Sequence, residues 1–363
     1  MHNTGLKSVL ILLLPSVFLL YKSLTIMSLP RTMRAVVCPS VPISPTQLVY
    51  TTTHPTPQPK PGHVLIRIKG FGLNRSELYT RQGQSPGLVF PKILGIECVG
   101  VVKDSGGGKW KEGDVVAAIM GGMGRQFDGG YAEYTLVPHS SVSPAIKLPK
   151  DMGWETFAAI PETFMTAWGT LHTALDLKST DSLYIHGGSS SLGLALAGLA
   201  KSSLFNVSTV LSTTRSEHKI STVQASGADH VLLDTGSVSA EVKKLTGGVG
   251  ATKAVEIVGP PVLEDSCAAL SPNGVIAIIG SLSGVWKSEF DPMVSLAPSK
   301  HLTMFGSGTV DMSAAPLQQI VDAVASGEIP FNVDKVFDIS SAGEAQAYME
   351  ANSAAGKVVC LVD

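Results

Sequence analysis

With 363 residues and 44% hydrophobic side chains, the chain can bury two ordinary cores, the better expectation at roughly 100 to 200 residues per domain. A formal charge of −2, from 27 Lys and Arg against 29 Asp and Glu, supplies no basic stripe for neutralising phosphates and sets nucleic acid aside as a partner. Charged residues make up only 15%, while 37 glycines and 22 prolines make the chain turn-rich.

In chain order, the first feature is SVLILLLPSVFLLY, an uncharged run between Lys7 and Lys22. It falls short of the roughly 20 apolar residues of a spanning helix, and Pro15 interrupts it. Its length suits a signal-peptide apolar region, yet no small-x-small cleavage site follows in YKSLTIMSLP. Three readings stand for residues 1–32: a dispensable leader upstream of a true start at Met27 or Met33, a signal anchor that seats residues 8–21 on a membrane, or a cleaved signal. The expectation is a cytoplasmic protein, membrane-anchored if the apolar run is an anchor. Cys38, Cys98, Cys267 and Cys360 lie far apart with no Cys-x-x-Cys pair, which suits a reducing compartment and offers no zinc ribbon.

From Met33 to about Pro149 the sequence reads as short strands punctuated by Pro and Gly: MRAVVC, HVLIRIKGFGLN, CVGVVKD, DVVAAIM and YAEYTLVP. That grammar predicts a barrel-like β region. From about Asp151 strands alternate with helical stretches, SLYIHGG, SLGLALAGLAKSS, VSTVLST, SEHKISTVQASG and HVLLD, then ATKAVEIVG, NGVIAIIGS and HLTMFGSG. Alternation of this kind predicts an α/β fold with a doubly wound parallel sheet. The tail adds a helix, PLQQIVDAVASG, a strand around Val336, a helix near GEAQAYMEANS and a final strand, KVVCLV.

The strongest local signal is YIHGGSSSLGLALAGLAK, an apolar strand running through a Gly/Ser turn into a helix. Gly188, Ser190 and Gly193 have the spacing of the dinucleotide fingerprint G-x-G-x-x-G, with serine in the middle, and Ser189, Ser191 and Leu192 complete the turn. The first glycine suits the tight turn and the third a close helix–strand approach. A side chain at Ser190 either crowds a pyrophosphate or hydrogen-bonds to it. Such turns also occur in methyltransferases and in sheets that bind nothing. The next strand ends in Ser212, Thr213, Thr214 and Arg215, with Lys219 a helical turn further, and no carboxylate appears before Glu217. An NAD enzyme usually carries an acidic residue there, so Thr213, Arg215 and Lys219 favour NADPH over NADH.

Taken together, GFGLNRSELYTRQGQSPGLVFPKILGIECVGVV, GDVVAA, GGYAEYTLVP, AAIPETFMTAWGTLH, the fingerprint and GKVVCLVD resemble the medium-chain dehydrogenase/reductase superfamily, and within it the zinc-independent quinone oxidoreductase branch that includes zeta-crystallin. The resemblance covers essentially everything after Met33. It implies a GroES-like β-barrel substrate domain at 33–150, completed by 309–363, and a Rossmann cofactor domain at 151–308, with the active site in the cleft between them and a homodimer formed by Rossmann sheet edges. It also implies that no zinc is bound. The catalytic histidine of the zinc enzymes corresponds to Ile96, their first cysteine to Asn74 and the remaining one to Glu162, and the four-cysteine structural loop is absent.

The implied chemistry is hydride transfer from NADPH to a small-molecule substrate already activated by conjugation, a quinone or an α,β-unsaturated carbonyl. In the family Asn74 lies beside nicotinamide and substrate, and Tyr79 matches a nearby tyrosine able to hydrogen-bond a developing oxyanion. Thr166 is placed under the nicotinamide, and Gly259, Gly280 and Ser281 follow later strands at their carboxyl ends, where α/β sheets bind ligands. Asn74 also reads as a turn former and Tyr79 as packing on a helix. Glu77, Arg81, His172 and His186 receive no catalytic role. Two alternatives stay open: a trans-acting enoyl reductase of a biosynthetic pathway, and an NADPH-binding protein with little turnover.

Overall fold

The computed structural model describes residues 29–363, so the apolar run at 8–21 lies outside the described residues. The first part of the chain lays down β1 (Thr32–Cys38), β2 (Val49–Pro55), β3 (His63–Gly72), helix α1 (Arg75–Arg81), β4 (Lys92–Ile93), β5 (Glu97–Asp104), β6 (Val115–Ile119) and β7 (Tyr134–Pro138). Helices α2 (Trp154–Ala158) and α3 (Pro161–Gly169) follow. Then come β8 (Ser182–His186), α4 (Ser191–Lys201), β9 (Thr209–Thr214), α5 (Ile220–Ala225), β10 (His230–Leu233), α6 (Ser239–Leu245), β11 (Ala251–Glu256), α7 (Leu263–Ala268), β12 (Leu270–Ile278), α8 (Pro292–Ser295) and β13 (His301–Met304). The tail is α9 (Leu317–Ala325), β14 (Val333–Asp338), α10 (Ala342–Glu350) and β15 (Lys357–Leu361).

The six parallel strands β8 to β13 pair in the order β10-β9-β8-β11-β12-β13, the doubly wound dinucleotide-binding arrangement in which the order reverses beside the first strand. The β-rich part forms a three-stranded sheet, β2-β1-β4, and a six-stranded sheet, β14-β15-β3-β5-β6 with β7 on β3; an isolated bridge, Ala35–Ala132, ties them together. The last strand therefore returns to the first part of the chain, Cys360 pairing with Phe71. This return brings Lys357 to the end of β3. The fold class is α/β, a doubly wound parallel sheet together with a β-rich part that the last strand completes.

The sequence explains most elements. In α4, SLGLALAGLAK is apolar around its whole circumference, and residues 193–200 are all buried, as expected of a helix packed between a sheet and other helices. One hydrophobic core runs from Val99, Ala117 and Ile119 of the β-rich part through Phe157, Ile160 and Phe164 to Leu183 and Leu194 under the parallel sheet. Strand β2, VYTTTHP, was not foreseen; it is exposed or half-exposed throughout, so it carries no apolar alternation for a reader of the sequence to find. Strand β1 begins at Thr32, and the Arg31 carbonyl accepts the Thr56 N–H at 3.1 Å, so the folded region starts slightly before Met33. The four cysteines are free and buried. No helix among the described residues is long and apolar enough to cross a membrane.

Candidate active site

At the carboxyl end of β8, the turn residue at positive φ (+91°) is Gly187, one position before the glycine expected to make the tight turn. Gly188 is glycine for a different reason: a Cβ there would overlap the Ser212 hydroxyl on β9. Gly193 has the role expected of it, since its Cβ would come within 2.7 Å of the Gly187 carbonyl where helix meets strand. Ser190 caps α4; its hydroxyl donates to the Gly187 carbonyl at 2.8 Å and accepts the Gly193 N–H at 3.1 Å. The hydroxyl is thus spent on the turn itself. The N–H groups of Ser189, Ser191 and Leu192 have no acceptor among the described residues. A helix start with orphan donors and no crowding Cβ is a ready anion cradle.

Along β9, Thr213 accepts the Gly187 N–H at 3.0 Å, which ties the second strand to the glycine turn. Arg215 is exposed beyond the strand end and makes no side-chain hydrogen bond among the described residues. Lys219 does not stand free beside it: its ammonium donates to the Ala354 carbonyl at 2.7 Å and to that of Asn352 at 3.4 Å. Behind the turn His186 is buried between two carboxylates, Nδ1 at 2.9 Å from Glu256 and Nε2 at 3.2 Å from Asp234. Burial pulls its pKa down, but the hydrogen bonds and charges of these partners outweigh that and hold it above the usual value. Glu256 in turn accepts the N–H groups of Val258 and Gly259, at 2.6 and 2.9 Å, and so braces the loop after β11.

A second cluster lies where β3, α1, β5, α3 and β15 converge. Lys357 is fully buried and donates to Glu97 at 2.8 Å, Asn74 Oδ1 at 2.6 Å and Thr163 at 2.9 Å, using all three ammonium hydrogens. Asn74 returns its amide N–H to Glu97 at 2.9 Å. The other Glu97 oxygen accepts the Glu162 N–H at 2.9 Å, satisfying an orphan donor at the start of α3. Glu77 accepts the backbone N–H groups of Asn74 and Ile96, at 2.8 and 3.0 Å; burial raises its pKa to about 7 against the opposing pull of those bonds and of Lys357. Glu162 accepts hydroxyls from Thr166 at 2.8 Å and Ser307 at 3.2 Å, and its pKa is raised, chiefly by burial. Gly72 leaves room for the ion pair, because a Cβ there would stand 2.5 Å from Lys357 Cε.

These observations agree with comparisons to known proteins. Residues 60–150 match the family described as alcohol dehydrogenase GroES-like domain, and residues 191–326 that described as zinc-binding dehydrogenase. The quinone oxidoreductase of Lama guanicoe is 28% identical over 317 residues, 84% of this chain and 91% of that one. A mycobacterial protein solved in complex with NADPH is 28% identical with a TM-score of 0.79, covering 91% of this chain and 100% of that one. The chain belongs to the medium-chain dehydrogenase/reductase superfamily, in its quinone oxidoreductase branch. A squalestatin tetraketide synthase of Cochliobolus lunatus is also similar, 25% identical over 314 residues, which span 82% of this chain but 12% of the synthase.

Within this superfamily fold, the residues singled out in the sequence fall into three groups, with Lys219 held apart from them. Gly188, Ser189, Ser190, Ser191, Leu192, Gly193 and Thr213 share the glycine turn, with Arg215 at the strand end. Gly259, Gly280 and Ser281 meet beyond β11 and β12, a Cβ on Gly259 falling 2.8 Å from the Ser281 hydroxyl. Tyr79 reaches the same loop, donating to the Ser281 carbonyl at 2.6 Å and meeting Trp286 edge-on with ring centroids 5.1 Å apart. Its hydroxyl is a strut between α1 and this loop. Asn74 and Thr166 join the Lys357 cluster instead. Lys357, Glu97 and Glu162 were missed as a group; the closing GKVVCLVD carried the lysine, but nothing local in the sequence tied it to residues 283 positions away.

Proposed function

We propose that the chain is an NADPH-dependent, zinc-free reductase that adds hydride to a quinone or an α,β-unsaturated carbonyl. The observation that carries the reading is the Lys357 cluster. Where zinc relatives carry metal ligands, this chain has Asn74, Ile96 and Glu162, and a buried ammonium lies 2.6 Å from Asn74 Oδ1. That ammonium already engages Asn74 Oδ1 and one Glu97 oxygen, so those acceptors are not free for a metal ion. Among the described residues no cluster of three or more His, Cys, Asp or Glu could hold a metal ion. Without Lewis-acid help, the acceptor must already be electrophilic, which quinones and enones are.

The nicotinamide cofactor fits the chain's own residues. The orphan N–H groups of Ser189, Ser191 and Leu192, with Gly188 and Gly193 clearing space, suit a pyrophosphate. Arg215, exposed with no free carboxylate at the strand end, suits the 2′-phosphate of NADPH, whereas Thr213, buried with its hydroxyl on the Gly187 N–H, supports the glycine turn instead; Thr166, Gly259, Gly280 and Ser281 would line the nicotinamide end. When bound, the cofactor supplies the hydride; the protein supplies position and a site shielded from water. The division into a substrate part, 33–150 with 309–363, and a cofactor part, 151–308, goes with this reading. The likeness to one segment of a tetraketide synthase favours, as a second reading, a trans-acting enoyl reductase working on a conjugated thioester. NADPH oxidation followed with panels of quinones, enones and enoyl thioesters tests both. Turnover of one panel selects the acceptor; tight NADPH binding with turnover of none refutes the reductase assignment, and stoichiometric zinc surviving chelator dialysis refutes the zinc-free assignment.

A further inference from the structure

Three buried or nearly buried carboxyl groups share the field of a single ammonium, Lys357: Glu97 pairs with it directly, and Glu77 and Glu162 lie within reach of its charge. Ionising all three would leave two uncompensated negative charges in a buried site, so the cluster retains protons. Glu97 is committed to the ion pair. Glu77 is 2% exposed, with both oxygens on backbone N–H groups. Glu162 alone is partly exposed, and its Oε2 makes no hydrogen bond among the described residues. Its partner Ser307 lines a cavity of about 260 Å³ together with Met120, Gly121, Ser141 and Gly308. Tyr79, the other candidate proton donor, gives its O–H to the Ser281 carbonyl.

We propose that Glu162 is the general acid of the reaction, delivering from Oε2 the proton that accompanies hydride addition; this rests on the reductase reading above. Once hydride from the reduced nicotinamide has added to the acceptor, negative charge lies on the acceptor oxygen. The O–H bond of Glu162 breaks, an O–H bond forms on that oxygen, and the electron pair stays on the carboxylate. A quinone becomes a hydroquinone, and an enone becomes an enol that relaxes to the saturated carbonyl. Solvent in the adjoining cavity returns the proton. The titratable groups facing Glu162 are Lys357 from β15 and Glu97 from β5; Glu77 from α1 acts on the same Lys357 and Glu97, with Tyr131 beside it. Strand β6 and the 307–309 turn carry no charge. Lys201 of α4, Asp322 of α9 and His172 after α3 are engaged with Asp229, Gln318 and Trp168 respectively.

The test uses the full chain with NADPH, a quinone and an enone, in wild-type, Glu162→Gln and Ser307→Ala forms. Glu162→Gln should lower kcat on the enone by on the order of 10²-fold, and less on the quinone, while NADPH affinity by fluorescence quenching stays within about twofold. The fall in wild-type kcat at alkaline pH should vanish in Glu162→Gln. In Ser307→Ala it should move to higher pH, because the lost hydroxyl donates to the ionised carboxylate. A Glu162→Gln variant with wild-type kcat and an unchanged alkaline limb overturns the proposal. If that variant does not fold, an unmoved limb in Ser307→Ala overturns it. Should wild type turn over no acceptor, the reductase reading falls by itself. Infrared titration of the cofactor-free protein then still decides whether Ser307→Ala shifts a carboxylic-acid band upward in pH; a band that does not shift overturns the acid assignment.

Discussion

Replacing Lys357 by methionine keeps most of the stem and removes one charge from a site that has no other cation among the described residues. The ammonium holds Glu97, Asn74 and Thr163 at 2.8, 2.6 and 2.9 Å and is 1% exposed. Removing one partner of a buried pair leaves the other charge uncompensated, at a cost of about 3 to 5 kcal/mol. With unfolding entropy scaling with length, roughly 1.5 to 2 °C per kcal/mol for a chain this long, the melting temperature should fall by about 5 to 10 °C. The sign of the pH dependence follows from the same carboxyls. Glu77 already titrates near 7 in the fold against an ordinary value of 4.5, so it penalises the folded state increasingly as pH rises between these values. Lys357 lowers the pKa of both Glu77 and Glu162, so without it those values rise further. The deficit of Lys357→Met should therefore be small near pH 5 and full by pH 8. Adding Glu97→Gln removes the orphaned charge and should recover at least half of it. Calorimetric melts of the single and double variants at pH 5, 6.5 and 8 decide the matter. A pH-independent deficit, one below about 1 kcal/mol at pH 8, or a double variant no better than the single would refute the charge argument.

Arg215→Ala should weaken NADPH binding by about 10- to 150-fold through loss of a charge-assisted hydrogen bond, leaving NADH unchanged, whereas Lys219→Ala should cost under about threefold because its ammonium is already held by Ala354; isothermal titration with both cofactors reads this. Tyr79→Phe removes the bond to the Ser281 carbonyl, so hydrogen-exchange protection at 281–286 should fall while kcat drops less than about tenfold; a much larger drop with unchanged exchange would return the phenol to a chemical role. Strand β13 is the edge of the parallel sheet and leaves Met304 73% exposed, so a homodimer should form there and Met304→Lys should yield monomer by light scattering; a wild-type monomer at micromolar concentration refutes the pairing. Deleting residues 1–30 should preserve activity, while deleting 1–32 should cost stability by removing the Arg31–Thr56 bond and the first pair of β1; detergent-dependent extraction of the full chain alone would mark the apolar run as an anchor.

Local signals were the readable ones. The switch from period-2 runs to strand–helix alternation near Asp151 is written in neighbouring residues, and so is the glycine turn, because helix start, small residues and apolar strand lie within about one motif length. Even there the division of labour differed from the spacing rule, since Gly187 takes the positive φ and Gly188 serves the approach to Ser212. Hydroxyl and ammonium partners were not readable. Tyr79 finds its acceptor 202 residues away and Lys357 finds Asn74 at 283, and neither distance leaves a periodic trace. Ser190 looked like a pyrophosphate contact because the fingerprint compares side chains at that position, whereas an N-cap serine meets the nearest backbone donors first.

On the zinc-free reading, the replacements at the metal-ligand positions act together and are not independent losses. Asn74 gives both ends of its amide to the Lys357–Glu97 pair, and Glu97 also anchors the backbone of Glu162 at the start of α3. One buried lysine on the last strand thereby ties the start of α1, β5 and α3 at a single point, the role a metal ion has when it collects ligands from separate segments. In this chain the ammonium already engages Asn74 Oδ1 and one Glu97 oxygen, and those acceptors hold it in place. Cysteines restored at 74 and 162 with histidine at 96 would still face Lys357. On this reading the lysine, which no ligand motif includes, is the group around which Asn74, Glu97 and Thr163 are arranged.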